Sequence, residues 1–241
     1  MVLSKNSRST KQCLRLKFLI RKEVANLMYY SPILLFRWLN LALSSTYFIY
    51  LFFITDHSML GWQFRYLTIW ALTANCFSSA LMLNAFPKVF TDSKNEIITS
   101  IIILNAAVVF LYWRLHFIDP KLINGDNARI WYLDYYLHLV GPVMQWIDGA
   151  LIYGAFKKPL KSFKYIIILF ASYTLWIELI VQPYNSIPEG TVTSGLPYPF
   201  LNNLNLIDRL EFYSKNMFFV VCVFFVGITA TWVKKQTLNN K

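Results

Sequence analysis

WYLDYYLHLVGPVMQWID, residues 131–148, is an apolar stretch long enough to cross a bilayer as a helix, yet it carries Asp134, His138, Gln145 and Asp148. Those four stand at i, i+4, i+11 and i+14, so on a helix they form one polar stripe. Pro142 falls on or beside that stripe. Having no N–H, it leaves the carbonyl four residues back, that of His138, without its helical partner. The helix is therefore loosened at its histidine. Ionisable groups at membrane depth are costly and are kept for function or for holding a bundle together, so chemistry is sought here first.

Working outward, the chain of 241 residues is 56% hydrophobic and 15% charged, with 8 Trp, 15 Tyr and 20 Phe, which excludes an ordinary soluble domain. It reads as an all-α, polytopic integral membrane bundle. Six apolar segments, 33–54, 66–86, 97–117, 131–156, 163–182 and 215–233, each approach the roughly 20 residues a spanning helix needs. The expected organisation is a basic cytoplasmic tail over 1–32, a six-span membrane domain over 33–233, and a cytoplasmic tail over 234–241. Sixteen basic residues then lie on the side of the termini, among them Lys157, Lys158, Lys161 and Lys164, against six on the other side, including Arg129 and Arg209. That asymmetry puts both termini in the cytoplasm. The excess of 23 Lys+Arg over 12 Asp+Glu follows this topology, with no basic groove or nucleic-acid motif, so no nucleic-acid partner is expected. Leu16, Leu19, Ile20, Val24 and Leu27 recur at helical spacing in the basic tail. The tail is read either as a helix on an anionic lipid surface or as a solvated segment that fixes orientation, with a mitochondrial presequence as a further reading. No removable signal peptide is expected. Cys13, Cys76 and Cys222 have no paired spacing for a disulfide framework or a zinc site, and the sequence holds no metal-ligand, phosphate-loop or nucleotide motif.

Polar stripes recur on other spans: Arg37, Asn40, Ser44 and Tyr47 on the first, Thr68, Asn75 and Ser79 on the second, Thr174, Glu178 and Gln182 on the fifth. Against lipid these groups would go unpaired, so they are expected to face inward. The third span, with Ser100 and Asn105, and the sixth are poorer in such groups and are assigned to lipid. The connection from Pro183 to Ser214, interrupted by Pro188, Pro197 and Pro199, is read as a loop. Thr68, His138 and Glu178 converge at one depth near the non-cytoplasmic side, whereas Asp148 lies nearer the cytoplasm. A hydroxyl becomes a useful nucleophile when a base takes its proton, and an imidazole suits that task near neutral pH. Thr68 and His138 are the minimal pair, with Asp134 one turn before the ring to orient it. Glu178 is read either as a structural partner for Arg37 or as an ion-pathway residue. The same polar interior equally fits a transporter or channel using Asp134, His138, Gln145, Asp148 and Glu178, or a non-catalytic scaffold.

Three patches carry a family resemblance: Phe64-Arg65-Tyr66-Leu67-Thr68; Leu133 to Pro142; and Tyr198-Pro199-Phe200-Leu201, after a fifth span holding Tyr173-Thr174-Leu175-Trp176. Over about residues 35–233 the chain resembles the androgen-induced protein family, which includes the androgen-dependent TFPI-regulating protein. That resemblance implies a six-span membrane hydrolase of fatty acid esters of hydroxy fatty acids, with Thr68 as nucleophile and His138 as general base. It implies no cofactor, a membrane lipid or fatty acid ester substrate, and the endoplasmic reticulum by class. Asp134, Asn75, Glu178, Pro142 and Tyr198 are the expected supporting or substrate-binding residues. Backbone groups near Pro142 or the Asn75 amide are the expected oxyanion donors. Where the family often has a polar residue three after its threonine, this chain has Ala71.

Overall fold

The structure, a computed structural model, describes residues 32–55, 57–124, 130–186 and 195–239. The basic tail, Arg129 and Pro188 therefore lie outside the described residues. The chain divides into two compact units, Met1–Leu39 and Asn40–Lys241. In the first, the described residues are helical. Apart from residues 32–39, which begin the first helix, all the geometry below belongs to the second.

Every regular element among the described residues is helical, and each of the six apolar segments lies on a helix. They are α1 (Pro32–Ile54), α2 (Leu67–Met82), α3 (Lys94–Ile118), α4 (residues 131–152), α5 (Pro159–Asn185) and α6 (Leu206–Asn239). α1, α3, α5 and α6 are long and apolar enough to cross a membrane, the mark of an integral membrane protein. Outward side chains such as Ile168, Leu179, Phe218 and Val226 are apolar and exposed, as a lipid-facing surface requires. α2 is shorter, at 16 residues, because the chain stops it firmly. Asn84 takes a left-handed φ of 59°. The Asn84 N–H then returns to the Leu81 carbonyl at 3.1 Å and the Ala85 N–H to that of Ala80 at 3.0 Å, closing the last turn as a Schellman cap.

The third span is not the lipid-facing helix expected. It runs through the centre of the bundle and packs against α2, α4, α5 and α6. Ser100 and Asn105 on it are buried, and so are Asn95, Glu96 and Thr99. Its few polar groups are few because almost all are used inward: Asn105 and Asn75 of α2 exchange amide hydrogen bonds of 2.7 and 3.1 Å. Gln145 of α4 donates to the Asn75 carbonyl at 3.2 Å and to Ser79 Oγ at 3.1 Å. In lipid, where burial supplies little drive between helices, such bonds and close packing hold the bundle. Gly149 provides the close packing, because a Cβ there would meet Ile102 Cδ1 at 2.8 Å.

The Pro183–Ser214 loop is shorter than expected. Asn205 Oδ1 accepts the Asp208 N–H at 2.9 Å, an N-cap that starts α6 at Leu206, nine residues before Lys215. Two prolines also leave a signature in α4 and α5. A π turn over Tyr136–Val140 ends two residues before Pro142, and another over Trp176–Val181 ends two residues before Pro183. In each, the N–H just before the proline reaches the carbonyl five residues back, Gly141 to Tyr136 and Gln182 to Ile177. The wider turn absorbs the donor that proline lacks.

Candidate active site

Thr68 is the second residue of α2, and that position decides what its hydroxyl does. Farther along their helices, Thr73, Thr99 and Thr229 each donate to the carbonyl four residues back, at 2.7, 2.7 and 2.9 Å. For Thr68 that carbonyl belongs to Phe64, in the 3-10 turn Trp62–Arg65 that precedes the helix. It is already filled by two indoles, Trp70 Nε1 at 2.9 Å and Trp176 Nε1 at 3.0 Å. The Thr68 hydroxyl is thereby released across the bundle, where Oγ1 lies 3.2 Å from His138 Nε2.

The histidine is held from three sides. Its Nδ1 is 2.9 Å from the main-chain carbonyl of Asp134. A carbonyl only accepts, so Nδ1 carries the hydrogen, and in the neutral form of the ring Nε2 is the acceptor of the Thr68 proton. Tyr112 of α3 stacks on the ring, with centroids 3.5 Å apart and planes within 7°. The His138 carbonyl, stranded by Pro142, accepts Trp113 Nε1 at 2.9 Å. The loosening read from sequence is thus real, and an indole from the next helix repairs it. Asp134, expected to orient the ring, contacts it through its backbone oxygen.

The segment leading into Thr68 is pinned in the same manner. The Leu67 N–H, one of the donors a helix start leaves open, goes to the Tyr198 hydroxyl at 3.2 Å. The Tyr173 hydroxyl donates to the Arg65 carbonyl at 3.0 Å. The three resembling patches, far apart in the chain, therefore meet at one place. Beside them lies a cavity of about 430 Å³ whose walls include Thr68, His138, Tyr198 and Thr174, and which continues along apolar side chains such as Ala107 and Val220.

Three expected residues stand elsewhere. Asn75, expected as an oxyanion donor, has its amide paired with Asn105 inside the bundle and away from the cavity wall. Pro142 is buried in α4 and acts through the helix rather than on the cavity. Glu178, expected to pair with Arg37, has both carboxylate oxygens on Arg209, Nε to Oε1 at 3.0 Å and Nη2 to Oε2 at 3.1 Å, and also accepts the Tyr213 hydroxyl at 2.6 Å. Sequence reasoning missed Tyr112, Trp113, Arg209 and Tyr213. The last two fell in the presumed loop, although Asn205 followed three residues later by Asp208 is a helix-start signal.

Comparison with curated proteins and with solved structures returned no match. A family model does match, over residues 33–231, and with it the convergence of the three patches acquires a name: the chain belongs to the FAR-17a/AIG1-like protein family.

Proposed function

We propose that the protein is an intramembrane lipid ester hydrolase with Thr68 as nucleophile and His138 as general base. The observation that carries this reading is the 3.2 Å approach of Thr68 Oγ1 to Nε2 of a backbone-anchored imidazole, at the wall of an apolar cavity. Thr68 Oγ attacks the ester carbonyl carbon while its proton passes to Nε2. Collapse of the tetrahedral intermediate breaks the bond to the leaving alcohol, which takes that proton. Water, deprotonated by the same nitrogen, then releases the fatty acid from the threonine. No cofactor enters this sequence. The family resemblance supplies the substrate class, fatty acid esters of hydroxy fatty acids, and the apolar cavity suits an acyl chain arriving from the bilayer. The position of Thr68 in the first turn of α2 favours attack, since developing negative charge meets the positive end of the helix. A permeation path is the weaker reading, because Asn75, Ser79, Asn105 and Gln145 are spent on one another.

A lipid-like fluorophosphonate is expected to label the purified wild type and to leave Thr68→Ala at background. Equal labelling of the two would sink the threonine nucleophile. The same reading includes six spans with both termini cytoplasmic, in the endoplasmic reticulum. For the orientation, a cysteine introduced at the exposed Tyr184 is expected to react with an impermeant maleimide from the non-cytoplasmic side. Reaction from the cytosolic side alone overturns it.

A further inference from the structure

An ester hydrolase needs a donor for the carbonyl oxygen that becomes an alkoxide, and in many enzymes this is the largest single contribution to rate. The Asn75 amide is paired with Asn105. The best-placed hydroxyl is that of Tyr198, which lines the same cavity. Its oxygen accepts the Leu67 N–H at 3.2 Å, one residue before the nucleophile, and the Thr68 and Tyr173 side chains line the same cavity. The hydrogens around it can be assigned. That of Thr68 goes to His138, and that of Tyr173 to the Arg65 carbonyl at 3.0 Å. Tyr198's own hydrogen is drawn into none of these bonds and can turn to a ligand in the cavity. The ring is held by an edge contact with Tyr66, centroids 5.7 Å apart, so the hydroxyl is placed before substrate arrives.

We propose that Tyr198 is the oxyanion donor of this site, a catalytic residue that hydrogen-bonds the alkoxide formed when Thr68 Oγ adds to the ester carbonyl. The inference rests on the hydrolase reading and names a role that reading leaves open. On attack, the C–Oγ bond forms, the carbonyl π electrons move to oxygen, and the Thr68 proton goes to His138. That oxygen is two bonds from Oγ, in the cavity whose wall Thr68 and Tyr198 share. Tyr198 transfers no proton. It tightens one hydrogen bond as charge develops and relaxes it when the carbonyl re-forms. Burial pushes the Tyr198 phenol up to about 12, so it keeps its hydrogen at neutral pH and remains a donor. The Leu67 N–H makes the pairing more than incidental. By donating into the phenol oxygen it fixes the hydroxyl to the backbone that carries the nucleophile, so that attacking and stabilising atoms move together.

The test compares Tyr198→Phe with the wild type on two substrates, a long-chain fatty acid ester and the matching thiono ester in which sulfur replaces the carbonyl oxygen. Sulfur accepts hydrogen bonds poorly, so only the oxygen ester draws on an oxyanion donor. On the oxygen ester, kcat is expected to fall by about 10²–10³-fold in the variant with KM changed little. The thiono ester rate is expected to change far less, so the oxygen-to-thiono ratio collapses. A misfolded fraction lowers both rates alike and leaves the ratio to the folded molecules. An unchanged ratio overturns the proposal, whether the two rates fall together, as for a purely positioning residue, or stay at the wild-type level. If Thr68→Ala is inactive while the ratio is unchanged, the hydrolase reading stands and only the role of Tyr198 falls.

Discussion

His138→Ala is expected to lower ester hydrolysis by about 10³-fold or more, in the upper part of the range for a positioned general base. Nothing else in the described site offers Thr68 a neutral nitrogen. The Thr68 hydroxyl, with the Phe64 carbonyl taken by two indoles, has no helical acceptor to fall back on. Millimolar imidazole is expected to restore part of the activity, because the deleted ring leaves a slot faced by Tyr112 on one side and by the Asp134 carbonyl at the Nδ1 position. A free imidazole in that slot presents its other nitrogen to Thr68. Thr68→Ala, which lacks the attacking atom, is expected to gain nothing from imidazole. Asp134→Asn keeps the main-chain oxygen that holds the ring, and is expected to stay within about tenfold of wild type, against the roughly 10⁴-fold loss seen when a carboxylate does the orienting. Hydrolysis by His138→Ala within tenfold of wild type would remove the histidine from the mechanism.

The second large effect is on stability. Arg209→Ala is expected to destabilise the protein by about 3–5 kcal/mol, the cost of leaving one member of a buried ion pair without its partner. Arg209 is only 5% exposed and grips Glu178 through two parallel hydrogen bonds, with a third from Nη1 to the Leu204 carbonyl at 2.9 Å. Its removal strands the Glu178 carboxylate between α5 and α6. At a few degrees per kcal/mol for a chain of this size, the thermal midpoint of detergent-solubilised protein should drop by about 10 °C. Glu178→Ala should cost a similar amount, and the double variant less than the sum, since no charge is then left alone. A loss under about 1 kcal/mol for either single variant would reduce the pair to the worth of an exposed one. Substrate binding should suffer too, because Tyr213, which lines the cavity, is tied to the same carboxylate at 2.6 Å.

What was legible in the sequence follows from how each signal is written. The pairing of Thr68 with His138 could be read because helical spacing and apolar run length fix both angle and depth. So could the loosening at His138, because a proline acts on a carbonyl a set distance away in the chain. The centrality of α3 could not be read that way. Its interior partners are hydrogen-bonded amides and small hydroxyls, and a polar residue used inward looks, in sequence, like a scarcity of polar residues. Glu178 found Arg209 rather than Arg37 for a related reason. The loop assignment had taken Arg209 off any helix, when the Asn205 cap makes it the fourth residue of α6. The repair of the His138 carbonyl by Trp113 was beyond reach altogether, since an indole N–H carries no sequence mark of its acceptor.

The phenol that caps the Leu67 N–H comes 131 residues after it. At about 5–20 residues per second, the ribosome takes on the order of ten seconds to make that stretch. For that interval the nascent chain carries a threonine and, later, a histidine in the membrane without the loop that completes their surroundings. The surroundings of Thr68 and His138 are therefore completed late in synthesis, and a chain interrupted before Tyr198 holds the pair with the Leu67 N–H uncapped.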